Sequence, residues 1–433
     1  MRLKARLRIV LMVSLAGVLL VGSDIRCAMS YQPLAKGWTQ TYGGTSDDMA
    51  YSVIETSDGD YALAGRTNSL GAGLSDFWLV KIDDAGKVQW NKTYGDTGDE
   101  YPVTLIQTED GGYALAGSGW LVKTDANGDM LWNRTYLTES CNCNVEYVVQ
   151  TSDGGYALAG NTLVYGDDDF CLVKTDSEGK ALWNKTYTKK SKDGVFSLIQ
   201  TADGGYALAG YTEGQIGSRP RFYLIKTDAS GNRLWNHTFG TGNGHYVAYS
   251  IAQTNDGSYA LAGDNSTWIG GSLMTRHCYF VLVDSEGNFE WEVEYGGTNV
   301  TAAYSVVQTH DNGFVLVGYE AFSVAVSRDC YLVKTDVSGA VLWENTYGGD
   351  LDDMMRSVVQ THDGGYALAG QTRSFGAGGW DFWLVRTDEN GVVPESSSII
   401  LLALFMTAAI LAAVLSKKGD HSMTRKKGQQ FRN

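Results

Sequence analysis

Asp58-Gly-Asp-Tyr-Ala-Leu-Ala-Gly65 is the first of seven copies of one eight-residue segment. It returns as DGGYALAG from Asp110, Asp153, Asp203 and Asp363, as DGSYALAG from Asp256 and as DNGFVLVG from Asp311. The copies start 43 to 55 residues apart, a period expected of propeller-like and solenoid repeats. Working outward from the first copy, the unit resolves into four short runs: Tyr51–Thr56, Tyr61–Gly65, Phe77–Lys81 and Val88–Tyr94. β-Branched and aromatic residues fill these runs, and an Asp-Gly pair between the first two supplies a tight hairpin turn. In the second run the bulky Tyr61 and Leu63 alternate with Ala62 and Ala64, so one face of the sheet is nearly flat and neighbouring sheets nest closely. The third run, FWLV, is apolar at every position, which fits a strand buried on both faces.

The ends of the array decide between an open and a closed stack. The seventh unit finishes its third run at Leu384–Asp388 and reaches Pro394 without a fourth. The chain begins with the missing piece, Trp38-Thr-Gln-Thr-Tyr42, followed by Gly43-Gly44 and Asp47-Asp48, as Trp343–Tyr347 is followed by Gly348-Gly349 and Asp352-Asp353. Pairing the first strand with the last unit removes the open edges that template aggregation. The expected fold is all-β: a seven-bladed β-propeller of four-stranded antiparallel blades over residues 31–392, closed by its N-terminal strand.

The termini point to the membrane. Arg2, Lys4, Arg6 and Arg8 precede the apolar run IVLMVSLAGVLLVG, the order of a secretory signal, so residues 1–30 form a signal peptide or an N-terminal signal anchor. After a short linker at 393–398, Ile399–Leu415 is apolar except for Thr407, and residues 399–416 are expected to form a C-terminal transmembrane helix. Lys417, Lys418, Arg425, Lys426, Lys427 and Arg432 follow, so the tail at 417–433 stays cytoplasmic and the propeller is extracellular. The whole chain carries a net charge of -15, but without its two basic ends the remainder holds 23 basic against 47 acidic side chains, a net of -24. Such a field repels nucleic acid and anionic lipid and favours cations or basic partners.

Thr175–Trp183 and Thr335–Trp343, each with an Asp and a Gly shaping the last hairpin before a Trp, resemble the tryptophan-docking motif of quinoprotein-type propellers. That resemblance implies blade packing, and it implies a quinone-dependent dehydrogenase as one rival function. The chain also resembles exported archaeal repeat proteins, and Val393-Pro-Glu-Ser396 is similar to their C-terminal sorting signals; the long basic tail departs from that pattern and favours a retained helix.

Motifs for catalysis are sparse. There is no nucleotide loop, zinc-protease helix, nucleophile elbow or EF-hand loop. His310 and His362 share one repeat position, in the hairpin after the first strand, and read as turn residues. The six cysteines do not space as a disulfide framework: Cys171, Cys278 and Cys330 replace strand aromatics and read as small packed hydrophobes, and Cys141 and Cys143 read as a loop pair with a weak metal or redox signal. Links after the second and fourth strands vary in length and share one face, which makes that face the binding candidate.

On it, Asp47, Asp48, Asp99, Glu100, Asp352 and Asp353 belong to blades seven, one and two, with Asp167, Asp168 and Asp169 extending the arc. Clustered carboxylates suit calcium, with Asp48 and Asp353 as candidate metal ligands. Arg219, Arg221, Arg276 and Arg328 fall in the links of blades four to six, giving a two-sided face. Asn91, Asn133, Asn184 and Asn236 follow the repeated Trp and begin glycosylation sequons; Asn265 and Asn299 begin two more, read as loops. The function expected is a monomeric, non-catalytic cell-surface module that binds a partner protein, a glycan or an envelope component. The alternative is an enzyme on the same scaffold, quinone-dependent or carbohydrate-active.

Overall fold

The computed structural model describes residues 37–138, 141–162, 168–187, 192–213, 218–269, 272–322 and 327–393. These form seven antiparallel four-stranded sheets and, among the described residues, no helix. The signal segment 1–30, the linker from Pro394 and the span 399–416 lie outside the described residues.

Each blade runs outward from the centre in chain order. In blade one the strands are Asp48–Glu55, Tyr61–Thr67, Asp76–Ile82 and Val88–Tyr94. Burial follows the sequence pattern: Tyr61 to Ala64 and Phe77 to Val80 are all at most 4% exposed, because both sheet faces meet a neighbour, while the outer Val88–Tyr94 strand is largely exposed. Blade seven is completed as expected. Trp38–Tyr42 pairs antiparallel with Asp381–Thr387, Trp38 facing Arg386 and Tyr42 facing Phe382.

Three sets of repeated contacts fasten blade to blade. The tryptophan of each fourth strand packs edge-on to the aromatic that opens the next blade's second strand, from Trp38 on Tyr61 (6.3 Å) and Trp90 on Tyr113 (5.8 Å) to Trp343 on Tyr366 (5.9 Å). The same rings lie on the turn glycines Gly86, Gly128 and Gly391, where φ is positive and a Cβ would strike the indole. The tyrosine ending the strand donates to that glycine's carbonyl, as from Tyr42 to Gly86 (2.8 Å) and from Tyr94 to Gly128 (2.6 Å). Nearer the axis, serine hydroxyls accept amides of the adjoining blade: Leu105 N to Ser52 (3.3 Å), Ile251 N to Ser197 (3.3 Å) and, across the closure, Val53 N to Ser357 (3.2 Å).

The third set forms a complete circle. The residue ending each first strand accepts an amide from the hairpin of the preceding blade: Ser57 to Gln107, Glu109 to Gln150, Ser152 to Gln200, Ala202 to Gln253, Asn255 to Gln308 and His310 to Gln360. Glu55 replaces glutamine at the closing joint, where it takes both the amide and the ring Nδ1 of His362. His310 and His362 therefore lie in the expected hairpins.

On this face every hairpin is short. The turns between first and second strands, such as 56–60 and 361–365, and those between third and fourth, such as 83–87 and 336–340, all hold five residues. Within them a threonine, the repeat aspartate and a buried cation lock together, as with Thr108, Asp110 and Lys123 (2.9 Å to Asp110). Arg386 replaces lysine in blade seven, and Leu282 holds the position in blade five.

Two expectations about cysteine are corrected. Cys143 lies in the first strand of blade three, not in a loop, and forms a disulfide with Cys171 in the third strand, Cα to Cα 6.0 Å. Both are fully buried, and the pairing was hidden because they occupy different positions of the repeat. Cys278 and Cys330 are buried free thiols, as expected, and Cys141 is free and half-buried.

Candidate functional site at the mouth of the central channel

The links after the second and fourth strands share the face opposite the five-residue hairpins. They range from the two-residue Ser118-Gly119 turn, both at positive φ, to the nine residues 95–103. The innermost strands carry a feature the sequence pattern did not reveal. In blades one, three, four, five, six and seven the ladder between first and second strands slips by one residue at the same place. The bulged residues are Tyr51, Glu146, Phe196, Tyr249, Tyr304 and Arg356, and each is half-buried. Bulges re-aim side chains and recur beside binding sites. An alternation-based reading passes over one extra residue, although a tyrosine or phenylalanine here in four blades was the available signal.

These side chains gather into an aromatic wall. Phe196 meets Tyr249 at 5.2 Å, Tyr249 meets Tyr304 at 5.1 Å, and Tyr304 meets Tyr319 at 5.9 Å. Arg356 lies over Tyr304 at 4.2 Å. Arg276 donates to Asp264 (2.7 Å), Tyr249 (3.0 Å) and Tyr319 (2.9 Å), tying blade five to blade six. Burial works against the charge of Arg276, and the Asp264 carboxylate together with Tyr304 and Tyr249 more than offsets it, so the guanidinium stays charged. Next to this pair is a cavity of about 390 Å³, lined by Pro220, His245, Val247, Tyr249, Asp264, Ser266 and Arg276. Burial, followed by the charges of Arg219 and Arg221, lowers the pKa of His245 and favours the neutral imidazole. In blade three, burial alone pushes the Glu146 carboxyl up to about 7. A larger groove of about 430 Å³ lies on the outer rim, between Thr41, Tyr347, Phe375, Trp383 and Val393.

The six acidic residues divide by role. Asp47 and Asp352 accept the amides of Trp380 (2.9 Å) and Arg328 (3.0 Å) from the preceding blade, and Asp99 is exposed. Asp48, Glu100 and Asp353 are buried, each at a different blade boundary. Asp48 accepts from Gly44 N (2.9 Å) and Ser69 Oγ (2.7 Å). Asp353 accepts from Gly349 N (2.8 Å), Ser374 Oγ (2.6 Å) and Thr372 Oγ1. Each faces a second carboxylate across a glycine: Asp48 faces Asp381 at Gly43, Glu100 faces Asp76 at Gly95, and Asp353 faces Asp329 at Gly348. Burial raises the pKa of Asp329, with the charge of Asp353 next; burial also raises that of Asp381, against the amides of Ala377 and Gly378 and with a smaller push from Asp48. The sextet is thus spread over three crevices, and among the described residues no group of three or more His, Cys, Asp or Glu side chains gathers to hold a metal. Asp168 and Asp169 sit at the start of blade three's third strand, and Asp167 is outside the described residues.

The basic half of the face also differs from expectation. Arg276 lies within the strand Ser272–Val283, and Arg221 opens the strand Arg221–Thr227. Arg221 donates to the carbonyls of Gly242 (2.6 Å) and Gly244 (2.5 Å), bracing a link, and Arg328 covers Tyr319 at 5.3 Å. Asn91, Asn133 and Asn184 are exposed on outer strands and Asn236 is half-buried. Asn265 lies in the strand Tyr259–Ile269, not in a loop, and donates to Glu294 (2.7 Å), while Asn299 in a link donates to Glu320.

No protein-family model matches the chain, and no curated protein matches its sequence. Among solved structures, the chain is similar to the WD40 domain of Pan2 from Neurospora crassa, with a TM-score of 0.51 and 12% identity over 82% of this chain and 100% of that one. Sqt1 from Chaetomium thermophilum follows at a TM-score of 0.47 and 9% identity, covering 81% of this chain and 100% of that one. The α-L-arabinanase of Penicillium chrysogenum, solved with arabinobiose, gives a TM-score of 0.46 and 10% identity, covering 82% and 99%. At such identities the likeness to the first is one of fold, and the chain is a seven-bladed β-propeller.

Proposed function

We propose that this protein is a non-catalytic surface module that binds its ligand at the channel mouth, on the face of the variable links. The observation that carries the reading is the shared bulge: one ladder slip, repeated in six blades, presents different half-buried side chains to one opening. Beside it, His245, Ser266 and the Asp264–Arg276 pair converge on one cavity with Tyr249. Aromatic faces with a few fixed polar groups suit a saccharide or a peptide segment. Export by residues 1–30 and anchoring by Ile399–Leu415 belong to the same proposal, and the Cys143–Cys171 disulfide supports an oxidising compartment. Asn91, Asn133 and Asn184 are accessible to glycosylation on the rim.

The test is a binding screen of the full-length chain against glycans and envelope fractions, repeated with Tyr249→Ala and His245→Ala. Binding lost in both variants, with no turnover of the bound material, supports the proposal. Binding that survives both, or that is removed only by changes in the hairpins 56–60 and 361–365, rejects it.

A further inference from the structure

Most buried cations of this acidic protein are spoken for. Lys81, Lys123, Lys174, Lys226, Lys334 and Arg386 are each paired with a hairpin aspartate, and Arg276 is paired with Asp264. Two arginines are different. Arg66 follows Gly65 at the end of blade one's second strand and places Nη2 3.4 Å from the Met49 sulfur. The Tyr51 hydroxyl reaches the same sulfur at 3.7 Å, so Arg66 and Tyr51 converge. Arg356 holds the equivalent bulge position in the adjoining blade seven, and its neighbour Ser357 accepts the amide of Val53, two residues beyond Tyr51.

Arg66 and Arg356 make no ion pair with a carboxylate among the described residues, and each has a buried Nε without a hydrogen-bond partner. A buried guanidinium nitrogen left without an acceptor is costly, and the guanidinium fork matches a planar oxyanion bidentately. Both residues are half-buried, so neither is sealed from the channel. The charges of both act on the Tyr51 hydroxyl against the larger effect of its burial, and that of Asp99, smaller than either, acts with burial. Arg356 already covers Tyr304 at 4.2 Å, which leaves the half-buried Tyr51 as the ring beside both cations, and a ring face packs against the C–H face of a pyranose.

We infer that Arg66 and Arg356 form an oxyanion-binding position in the channel wall and that the ligand reaching it is an anionic sugar. The inference deepens the binding reading given above by naming the ligand's charge and the residues that meet it. The chain's formal charge of -15 would repel such a ligand at long range, so recognition depends on these two local cations.

Titration calorimetry of the full-length chain with glucuronate, glucose 6-phosphate and glucose tests it at low and at physiological salt. Both anionic sugars are expected to bind and glucose is not; the tighter of the two identifies the carboxylate or the phosphate as the group recognised. Arg356→Gln and Arg66→Gln should each weaken binding about 10-fold or more, the loss of one charge-assisted contact. Arg356→Lys should keep part of it, and Arg134→Gln, on the outer strand, none of the effect. Melting curves without ligand confirm that each variant is folded, and Arg66→Gln serves if Arg356→Gln is not. Glucose binding as well as glucuronate, or anion binding unchanged in both glutamine variants, overturns the inference. Should the small anions fail while envelope material still binds through Tyr249 and His245, this inference falls and the broader proposal stands.

Discussion

Replacing Trp38 by alanine should loosen the ring at its closure and nowhere else to the same degree. The strand Trp38–Tyr42 joins its sheet only through pairing with Asp381–Thr387 and continues into blade one through the link 43–47. Its tryptophan meets Tyr61 edge-on at 6.3 Å, lies on Gly86 and donates from Nε1 to the Asp84 carbonyl at 2.9 Å. A fully buried tryptophan cut to alanine costs about 3–5 kcal/mol. Trp38 is half-buried and its hydrogen bond is exposed, so about 2–3 kcal/mol is the reasoned loss.

Trp90 is the internal control. It makes the same contacts with Tyr113 and Gly128, but its strand is tied into the fold at both ends, by the turn 83–87 and by the link that follows Tyr94. Native-state hydrogen exchange reads the difference. In Trp38→Ala, amides bridging Trp38–Tyr42 and Phe382–Arg386 should exchange roughly 30- to 150-fold faster, the equivalent of that loss. In Trp90→Ala, exchange at the closure should stay near that of the parent. Unchanged protection at the closure in Trp38→Ala, or an equal loss there in Trp90→Ala, would refute the reasoning.

Other expectations follow from the same contacts. Asp381, Asp329 and Glu100 have raised pKa values, so their charged forms are disfavoured in the folded state and protonation favours folding as pH falls towards their folded values. The hairpin carboxyls Asp110, Asp153 and Asp203 are depressed to about 2, although burial, their largest single influence, acts the other way; hydrogen bonds from threonine, lysine and a glycine amide, with the lysine charge, together outweigh it. Their stabilisation is complete above the ordinary carboxylate pKa and is lost as pH falls from about 4 to about 2. Melting temperature should therefore rise slightly from pH 7 to about 5 and drop steeply below about 4; a steady fall from pH 7 contradicts this. Reducing the Cys143–Cys171 bond, which spans 28 residues, should cost about 3–4 kcal/mol by the loop-entropy estimate, measured by urea unfolding with and without reductant. Calcium at millimolar level should leave the melting temperature unchanged, because Asp48 and Asp353 lie in separate crevices and donors already engage both oxygens of Asp353; a rise abolished by Asp48→Asn with Asp353→Asn would support a cation site.

The blade count and the closing strand were legible because each depends on local pattern. Asp-Gly turns, alternating Tyr-Ala-Leu-Ala and the orphan Trp38–Tyr42 all survive as runs of adjacent residues. The channel mouth was not legible, since Tyr51, Glu146 and Arg356 share a wall only after the ring closes and a bulge turns them. Asp47 and Asp48 illustrate the limit from the other side. They read as one acidic pair, yet Asp47 accepts an amide from a link while Asp48 is buried between blades seven and one. Asp47 ends the link and Asp48 opens the strand, so adjacency in sequence did not make one site. The disulfide escaped for a related reason: Cys143 looked paired with Cys141, and only the blade's packing brings it to Cys171.

The claim that binding occurs at the channel mouth is tested most directly by a hydrogen-exchange footprint of the full-length chain, with and without a glycan or envelope ligand from the screen. Protection should concentrate in the upper halves of the first strands, around Tyr51, Tyr249, Tyr304 and Arg356, and in the link 240–244. Protection confined to the hairpins 56–60, 201–205 and 361–365, or to the outer strands around Asn91 and Asn184, would contradict the account.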